Sequence, residues 1–547
     1  MLKFILSFIS IMGGRVESNK AEHIKTLRKC VDKEEINLNG KTQNHKNGYS
    51  NGALQSNGTG KMYKENEFKP PPPMDWSQYD TFPGSFEKCS LMSLVLTHIG
   101  LYILMFLGFL NKMLFTPKVH KEKNREGYAP LYNPFEQFYS RYVYRRVSHC
   151  FNRPICSAPA NILSLMERES TDFNWSFKLT GKVLRCINLG SYNYLGLSGE
   201  REPVAEAVRK YGLTLSSPRA ELGECRLHLD LEKETADFLG VESAIVFGMG
   251  FATNTLSLPG LLSPDCLAIS DENNHASIIL GLRLSRVTVR VFRHNDVRHL
   301  EKIARQAIAE NKWKKIVILV EGVYSMEGSI APLQAIVALK KQLGLQLFVD
   351  EAHSIGALGP RGRGVTDYWG VPPSDVDILM GTFTKSFGAA GGYIAGPARL
   401  VNHIRAAGHA AAYAHSMAPP VAAQVLAAMR RIRSPAGQLR VRALRDNTRY
   451  FRERLRSMGV VVFGHPDSPV VPLLVYTFSK MAATVERLTE RGLAVVGVGF
   501  PATPLSKARI RFCLSAAHTR PQLDECLRAI ADVVAELGLR YSRQPPH

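Results

Sequence analysis

Short apolar runs alternate with amphipathic stretches along the chain from about Phe173 onward. Each run ends in turn-forming or charged residues, which is typical of buried strands in a mostly parallel sheet. The amphipathic stretches between the runs are typical of the helices that cover such a sheet. The pattern therefore predicts an α/β fold built on SAIVFGM, DCLAIS, VTVRVF, KIVILVEG, LQLFVDEAH and VDILMGTF.

The C-terminal part of the chain has a different pattern of predicted helices and strands. RYFRERLRSMGVVVFG predicts a helix that runs into a strand, and PQLDECLRAIADVVAEL predicts a closing amphipathic helix. VVPLLVY, LAVVGVGF and ARIRFCLSAAHT predict further strands. We therefore expect a large catalytic domain over residues 173–428 and a smaller α+β domain over residues 429–547.

The N-terminal part contains two apolar segments and a polar arm. MLKFILSFISIM is too short to span a bilayer, and the Asn-, Gly- and Pro-rich sequence after it predicts a disordered arm over residues 1–75. Leu91–Leu110 carries no charge and has the length of a membrane-crossing helix, which predicts a transmembrane or membrane-embedded helix over residues 89–111. The alternative is a helix buried inside the globular core.

Lysine and arginine are dense in KMLFTPKVHKEKNR, directly after this helix. Positive charge marks the cytosolic flank of a membrane helix, so the C-terminal bulk is expected in the cytosol, and residues 112–172 are predicted to be a basic linker and the N-terminal arm of the catalytic region. Nine scattered cysteines, without a CxxC pair or zinc spacing, agree with a reducing compartment and predict no metal site.

The chain has 547 residues and a formal net charge of +21, which favours acidic partners. A nucleic-acid-binding protein is one such class. RRM, KH and zinc patterns are absent and the basic residues are dispersed, which argues against it. Anionic lipid and a phosphate-bearing substrate are the alternatives.

One lysine, Lys385, lies among glycines, alanines and hydroxyls in GTFTKSFGAAGGY. A desolvated amine loses its proton more easily and becomes a nucleophile toward a carbonyl. The aldehyde of pyridoxal 5′-phosphate (PLP) is the obvious carbonyl. The alternative is a glycine-rich turn with an incidental lysine.

Such a cofactor needs partners that the sequence offers at other strand ends. Asp350 is placed to hold the ring nitrogen, although a strand-end Asp is as often a helix N-cap. His275 and His353 are candidates for the ring face and the 3′-oxygen. The phosphate needs helix-start amides and a hydroxyl, for which FGMGFATN and Thr382 are suited. Because ligands bind at the carboxyl ends of parallel strands, we expect one shared site.

These motifs also carry a family resemblance. From about Asn152 to Tyr541 the chain resembles the α-oxoamine synthases, fold-type I PLP enzymes that condense an amino acid with an acyl-CoA; the motifs are SYNYLGL, FGMGFATN, NHAS, EGVYSMEG, VDEAHSIGALGPRGRG, GTFTKSFGAAGGY and RIRFCLSAAHT. GTFTKSFGAAGGY, GFPATP and the apolar segment resemble the catalytic subunits of eukaryotic serine palmitoyltransferase. NRPICSAPA, EGVYSMEG and YIAG are nearer to the third-subunit type than to the second.

The resemblance implies a role for each motif residue. Lys385 would bond to the cofactor and move the substrate's Cα proton, Asp350 would hold the pyridine nitrogen, and His275 would stack on the ring as the second catalytic residue. The other implied contacts are His353 and Ser325 to the 3′-oxygen, Thr382, Gly250 and Phe251 to the phosphate, and Arg511 and Asn193 to the amino-acid substrate.

The resemblance also implies an activity, a place and partners. L-Serine and a long-chain acyl-CoA would condense to 3-oxosphinganine at the endoplasmic reticulum membrane, with the catalytic region facing the cytosol. A non-catalytic homologous subunit and small membrane subunits would complete a heteromer. One alternative is a relative that uses glycine or alanine, against which Leu91–Leu110 argues. Another is a regulatory subunit, which the presence of Lys385, Asp350 and His275 opposes.

Overall fold

Strands and helices alternate along most of the chain. The computed structural model describes residues 72–79, 87, 91–115, 134–198, 202–504 and 506–543. The strands, in chain order, are β1 (Ile162–Glu169), β2 (Lys178–Asn188), β3 (Ser243–Phe247), β4 (Cys266–Asp271), β5 (Thr288–Phe292), β6 (Lys315–Glu321), β7 (Gln346–Asp350), β8 (Ile378–Thr382), β9 (Gly392–Gly396), β10 (Val470–Tyr476), β11 (Leu493–Ala494), β12 (Val496–Val498) and β13 (Ala508–Cys513).

Helices precede the first strand and connect most of the others. The α-helices are α1 (Leu91–Phe115), α2 (Pro134–Tyr142), α3 (Glu202–Tyr211), α4 (Arg226–Leu239), α5 (Gly250–Leu261), α6 (Ala276–Leu284), α7 (Val297–Ala309), α8 (Leu333–Leu343), α9 (Val365–Trp369), α10 (Ala398–Ala407), α11 (His409–Tyr413), α12 (Pro419–Arg433), α13 (Pro435–Ser457), α14 (Phe478–Glu490) and α15 (Arg520–Leu537). Short 3₁₀ helices cover Trp76–Gln78, Tyr144–Cys150 and Pro373–Asp375.

A seven-stranded sheet in the order β3-β9-β8-β7-β6-β4-β5 forms the centre of the fold. Neighbouring strands from β8 to β5 are parallel, and β9 is antiparallel to both β3 and β8. Six strands therefore share one direction. These six are the apolar runs from which the sheet was predicted, so the α/β fold with a mostly parallel sheet is confirmed.

Both faces of this sheet are covered except at the edge strand β5, which explains why the other strands are apolar runs. Phe348 of β7 packs into a cluster with residues of α5, α6 and α10. Its neighbours Leu347 and Val349 point to the other face and pack into the main cluster with residues of α7 and α8. The sheet therefore holds its strand ends rigidly between two helical layers.

Two small sheets lie outside the central one, in the orders β1-β2-β11 and β10-β13-β12. The predicted strand of RYFRERLRSMGVVVFG is reduced to one bridge between Val462 and Leu473, whereas its helix is present in α13. The other strands and the closing helix of the C-terminal part are present as predicted.

Two predicted domain boundaries fall inside structural elements. The boundary at 172/173 cuts the turn of the β1–β2 hairpin, and the boundary at 428/429 cuts α12. Strand β2 also pairs with β11, so the hairpin is joined to the C-terminal part by backbone hydrogen bonds. Lys69–His547 forms one compact unit, and its division into a large and a small domain stays a prediction.

The apolar segment near the N-terminus forms α1. Among the described residues, its window Leu94–Asn111 is the stretch long and apolar enough to cross a membrane, and only 6% of it is buried. The alternative of a helix buried in the core is therefore wrong.

The predicted N-terminal arm is described only at its end. Residues 1–71, which include the first apolar run, lie outside the described residues. Pro72 accepts a hydrogen bond from Arg305 Nη2 at 2.7 Å, and Met74 donates its backbone N–H to Glu301 at 3.0 Å. The last residues of the arm are therefore bound to α7.

Candidate active site

The carboxyl ends of β3, β4, β6, β7 and β8 lie at the same edge of the central sheet, because these strands are parallel. The residues that follow these strands are the ones singled out from the sequence. They are Gly250 and Phe251 after β3, His275 after β4, Ser325 after β6, His353 after β7, and Lys385 after β8, with Asp350 and Thr382 as the last residues of their strands.

Lys385 is half-buried, and its Nζ donates a hydrogen bond to Thr382 Oγ1 at 3.3 Å. Burial lowers the pKa of this amine, and the nearby Arg511 lowers the pKa further, although Asp350 and Glu321 oppose the shift. The amine therefore loses its proton more readily than a surface lysine does. Such a group is suited to attack a carbonyl.

Asp350 is buried and held by two hydrogen bonds. Its Oδ2 accepts from Asn254 Nδ2 at 2.9 Å, and its Oδ1 accepts from the backbone N–H of Ala352 at 2.9 Å. The same Asn254 Nδ2 donates to Ser277 Oγ at 3.0 Å, and Ser277 Oγ lies 2.7 Å from His275 Nδ1. A chain of hydrogen bonds therefore joins the carboxylate to the imidazole.

His275 begins α6 and has a defined tautomer. Its Nδ1 accepts the backbone N–H of Ser277 at 3.2 Å, so the proton of the neutral ring is on Nε2. Burial lowers the pKa of His275, and Lys385 lowers it further, although the charge of Asp350 opposes the shift; the net lowering favours the neutral ring. The ring of Phe251 lies 5.8 Å away in an edge-to-face arrangement.

Glu321, the last residue of β6, is a buried carboxyl group behind His275. It accepts the backbone N–H of His275. Burial raises the pKa of Glu321 well above its ordinary value, and the neighbouring Asp350 raises the pKa further. Burial and Asp350 therefore favour the neutral form of Glu321, which holds the His275 backbone.

One end of the site is suited to a phosphate. Helix α5 begins at Gly250, so the N–H groups of Gly250 and Phe251 lie at a helix N-terminus, which attracts anions. A Cβ added to Gly250 would lie 3.0 Å from Thr382 Cγ2 and 3.3 Å from the carbonyl oxygen of Gly391. The backbone at Gly250 therefore lies so close to the Thr382 methyl group and to Gly391 that a side chain there would force a shift.

The opposite side of the site is aromatic. His353 Nδ1 lies 2.8 Å from the hydroxyl of Tyr194, and the ring of Tyr192 lies 4.9 Å from the His353 ring, edge to face. Burial lowers the pKa of His353 well below its ordinary value, and the cations of Lys385 and Arg511 act in the same direction. His353 is therefore neutral at physiological pH.

Arg511 is a buried cation on β13 that faces the same space. Its guanidinium lies over the ring of Tyr192, with Cζ 4.7 Å from the ring centroid, and its Nη1 reaches the carbonyl oxygen of Ser325 at 3.5 Å. Its Nε is buried with no hydrogen-bond partner among the described residues. A buried, partly unpaired guanidinium is suited to bind a carboxylate.

Asn193 uses its side chain within its own turn. Its Nδ2 donates to the carbonyl oxygen of Pro159 at 3.0 Å and to Ser198 Oγ at 2.9 Å, and its Oδ1 accepts from the N–H of Leu197 at 3.1 Å. The structure brings the neighbouring Tyr192 to the site, within 5.9 Å of Lys385 Nζ. A role for Asn193 in substrate binding stays a prediction.

Sequence reasoning missed three site residues, Asn254, Glu321 and Tyr192. Two signals were available. Asn254 follows Gly250 by one helical turn and shares its face, and Glu321 ends a predicted strand as Asp350 does. No pattern in the sequence marks Tyr192, because its position depends on how the loop before α3 folds over the sheet edge.

The arrangement fits PLP. Helix-start amides and a hydroxyl can bind the phosphate, the buried Asp350 can hold the pyridine nitrogen, His275 can cover one ring face, and Lys385 supplies the amine for the aldehyde. The buried, unpartnered Nε of Arg511 adds a place for a second anionic group.

Comparisons with known proteins agree with this chemistry. The model of the family "Aminotransferase class I and II" matches residues 185–530. Serine palmitoyltransferase 3 of Homo sapiens is 47% identical over 528 residues, which cover 92% of this chain and 95% of the relative. The chain belongs to the serine palmitoyltransferases of this family.

Further relatives extend the comparison. Serine palmitoyltransferase 2 of Schizosaccharomyces pombe is 43% identical over 475 residues, covering 83% of this chain and 79% of the relative. The structure of a variant serine palmitoyltransferase from S. paucimobilis with bound PLP and myriocin superposes with a TM-score of 0.65 at 27% identity, over 74% of this chain and all of that chain. PLP, expected from the sequence, is confirmed as the cofactor of this family.

Proposed function

We propose that the chain is the catalytic subunit of a serine palmitoyltransferase. It would condense L-serine with palmitoyl-CoA, or a related long-chain acyl-CoA, to 3-oxosphinganine in the first step of sphingolipid synthesis. The observation that carries this proposal is the convergence of Lys385, Asp350 and His275 at one sheet edge of a chain 47% identical to a serine palmitoyltransferase. A regulatory subunit would not need this constellation.

PLP, when bound, withdraws electrons from the substrate's Cα. The residues of the chain bind the cofactor and move the proton. Lys385 Nζ, whose pKa is lowered by burial, binds the cofactor covalently and later accepts the Cα proton. Asp350 keeps a proton on the pyridine nitrogen, and Asn254 holds that carboxylate in place.

The remaining side chains hold the cofactor and orient the amino acid. Thr382 and the amides of Gly250 and Phe251 would bind the phosphate, His275 would cover a face of the cofactor ring, and His353 and Ser325 would contact its 3′-oxygen. Arg511 binds the serine carboxylate, the group that leaves as carbon dioxide. The stacked Tyr192 limits the orientations that Arg511 can take.

The apolar helix suggests where the reaction occurs. The acyl donor and the product are both lipids, so an anchored enzyme takes its substrate from the bilayer and returns its product to it. Helix α1 is the proposed anchor, in the endoplasmic reticulum membrane, with the catalytic region on the cytosolic side. The proposed assembly is a heteromer with a homologous non-catalytic subunit and small membrane subunits, since the curated relatives carry numbered subunit names.

The test is an assay of the purified complex with serine, glycine or alanine and a panel of acyl-CoAs. We expect turnover with serine, and a loss of roughly 10³-fold or more in the Lys385→Ala variant, because the group that binds cofactor and moves the proton is gone. The matched control is Lys302→Ala, which removes an exposed lysine of α7 and should keep full activity.

Two outcomes would contradict the proposal. Turnover with glycine or alanine but not serine would indicate another α-oxoamine synthase. Full activity of a complex that carries Lys385→Ala would assign this chain a regulatory role, with the active site in another subunit.

A further inference from the structure

The turn of the β1–β2 hairpin displays two aromatic side chains to solvent. Phe173 is 86% exposed and Trp175 is 64% exposed. Large aromatic rings are seldom left this exposed at a soluble surface unless they contact something. Neither ring belongs to the candidate active site at the sheet edge. The exposure of the two rings therefore needs a different explanation.

The tip is held in a fixed conformation. Phe173 and Asn174 both have positive φ angles, 56° and 65°, which cost a non-glycine residue about 1 kcal/mol or more each. The carboxylate of Asp172 fixes the turn by accepting the N–H groups of Trp175 and Ser176, both at 2.9 Å. The rings are therefore presented outward by a stable turn.

The hairpin tip lies beside the C-terminal end of the apolar helix. A Cβ added to Gly108 of α1 would lie 3.1 Å from Tyr142 Cβ, so α1 and α2 touch three residues before the apolar window ends. The 3₁₀ helix that follows α2 carries Arg145, whose guanidinium lies 3.9 Å from the centroid of the Trp175 ring. The exposed ring of Trp175 thus contacts Arg145, which lies three residues after the Tyr142 that touches α1.

A second contact fixes the tip to the same segment. Asn174 Nδ2 donates to the carbonyl oxygen of Arg146 at 3.2 Å and lies 3.2 Å from His149 Nδ1. The tip and the segment after α2 therefore form one surface patch, which also includes the Arg168 guanidinium 4.1 Å from the Phe177 ring centroid.

The charge of this region is strongly positive. Residues 141–185 contain eight Lys and Arg and three Asp and Glu. Lys178 and Lys182 are exposed on β2 just beyond the tip. Exposed aromatic rings bordered by lysine and arginine are the composition of surfaces that bind the headgroup region of anionic bilayers.

We propose that the hairpin tip, residues 172–178 with Arg145, inserts its two aromatic rings into the headgroup layer of the membrane in which α1 is embedded. This inference rests on the proposed membrane anchorage. A second membrane contact beside α1 would fix which face of the catalytic body meets the bilayer.

Tryptophan fluorescence tests the insertion on the full chain. The sequence has four tryptophans, Trp76, Trp175, Trp313 and Trp369. In phosphatidylcholine vesicles doped with brominated lipid, we expect quenching of the wild-type chain that disappears in Trp175→Phe and persists in Trp313→Phe. Adding phosphatidylserine should increase the quenching, and salt should weaken that increase.

A second variant tests the tip without disturbing its fold. Phe173→Asn keeps the preference for a positive φ but removes the ring. It should weaken the quenching of Trp175 while serine-dependent activity in detergent stays unchanged. Leu439→Gln, which removes an exposed apolar residue of α13, is the control and should leave quenching as it is.

The outcomes separate this inference from the proposed function. A chain that fails to sediment with vesicles at all would contradict the anchorage. A chain that sediments but shows equal quenching with and without Trp175 would overturn the insertion alone. Loss of the homologous subunit in Phe173→Asn, with no change in quenching, would overturn it too, by making the tip a protein interface.

Discussion

Asn254 is the residue through which the acid and the imidazole of the site are joined. Its two N–H groups are shared between Asp350 and Ser277, and its Oδ1 is buried without a hydrogen-bond partner in the described part of the chain. The sequence placed Asp350 and His275 because both follow apolar strands. One shared site was expected for them, but the hydrogen bonds that join them were not predicted, since these bonds need α5 and α6 packed side by side.

Replacing Asn254 by Leu, which has a similar size, should weaken PLP binding by roughly tenfold, because Asp350 loses a charge-assisted hydrogen bond. Titration of the apoprotein with PLP, followed by absorbance, measures the dissociation constant. Ser257→Ala on the same helix is the control, since Ser257 Oγ has no hydrogen-bond partner among the described residues. An unchanged PLP affinity in a folded Asn254→Leu chain would contradict the role.

At the level of elements, the apolar pattern predicted the six parallel strands of the central sheet. It missed the largely exposed β1–β2 hairpin. Five of the six parallel strands are apolar runs because helices cover both of their faces, whereas the edge strand β5 is largely exposed and carries Arg290. The β1–β2 hairpin was missed because β2 is exposed over most of its length and because its pairing with β1 is irregular between Met166 and Arg168. Its pairing with β11, hundreds of residues away, could not be inferred from local pattern.

A buried histidine in the loop between β13 and α15 joins this loop to the end of β2, far away in the sequence. His518 is buried there, its Nδ1 accepts the N–H of Ser515 at 3.1 Å, and its Nε2 lies 3.0 Å from the carbonyl oxygen of Asn188 at the end of β2. Burial lowers the pKa of His518 to about 4. The folded chain therefore keeps this ring neutral, while the unfolded chain protonates it below about pH 6.5.

Stability should consequently fall as the pH drops from 6.5 towards 4, because only the unfolded state takes up the proton in this range. The pKa difference corresponds to about 3 kcal/mol once the pH is below 4. Urea unfolding at several pH values measures the slope, and His518→Gln should flatten it. An unaltered slope in that variant would assign the acid sensitivity to other groups.

At the scale of the whole molecule, α1 is held on both flanks. On its C-terminal side it touches α2. On its N-terminal side, the segment 72–79 binds α7: Trp76 is buried, and its Nε1 donates to Glu301 Oε2 at 2.9 Å. Glu301 also accepts from Met74 and from Arg305. The described segments before and after α1 are thus both bound to the catalytic body.

Removing the contact between segment 72–79 and α7 should therefore lower the free energy of unfolding of the chain. Trp76→Ala loses a buried ring and leaves the buried carboxylate of Glu301 with one donor fewer, which should cost about 3 kcal/mol. The midpoint of thermal unfolding in detergent measures this loss. Gln78→Ala, an exposed residue of the same 3₁₀ helix, should leave the midpoint unchanged. If both variants unfold at the wild-type temperature, the segment contributes nothing to stability, and α1 is held only through α2.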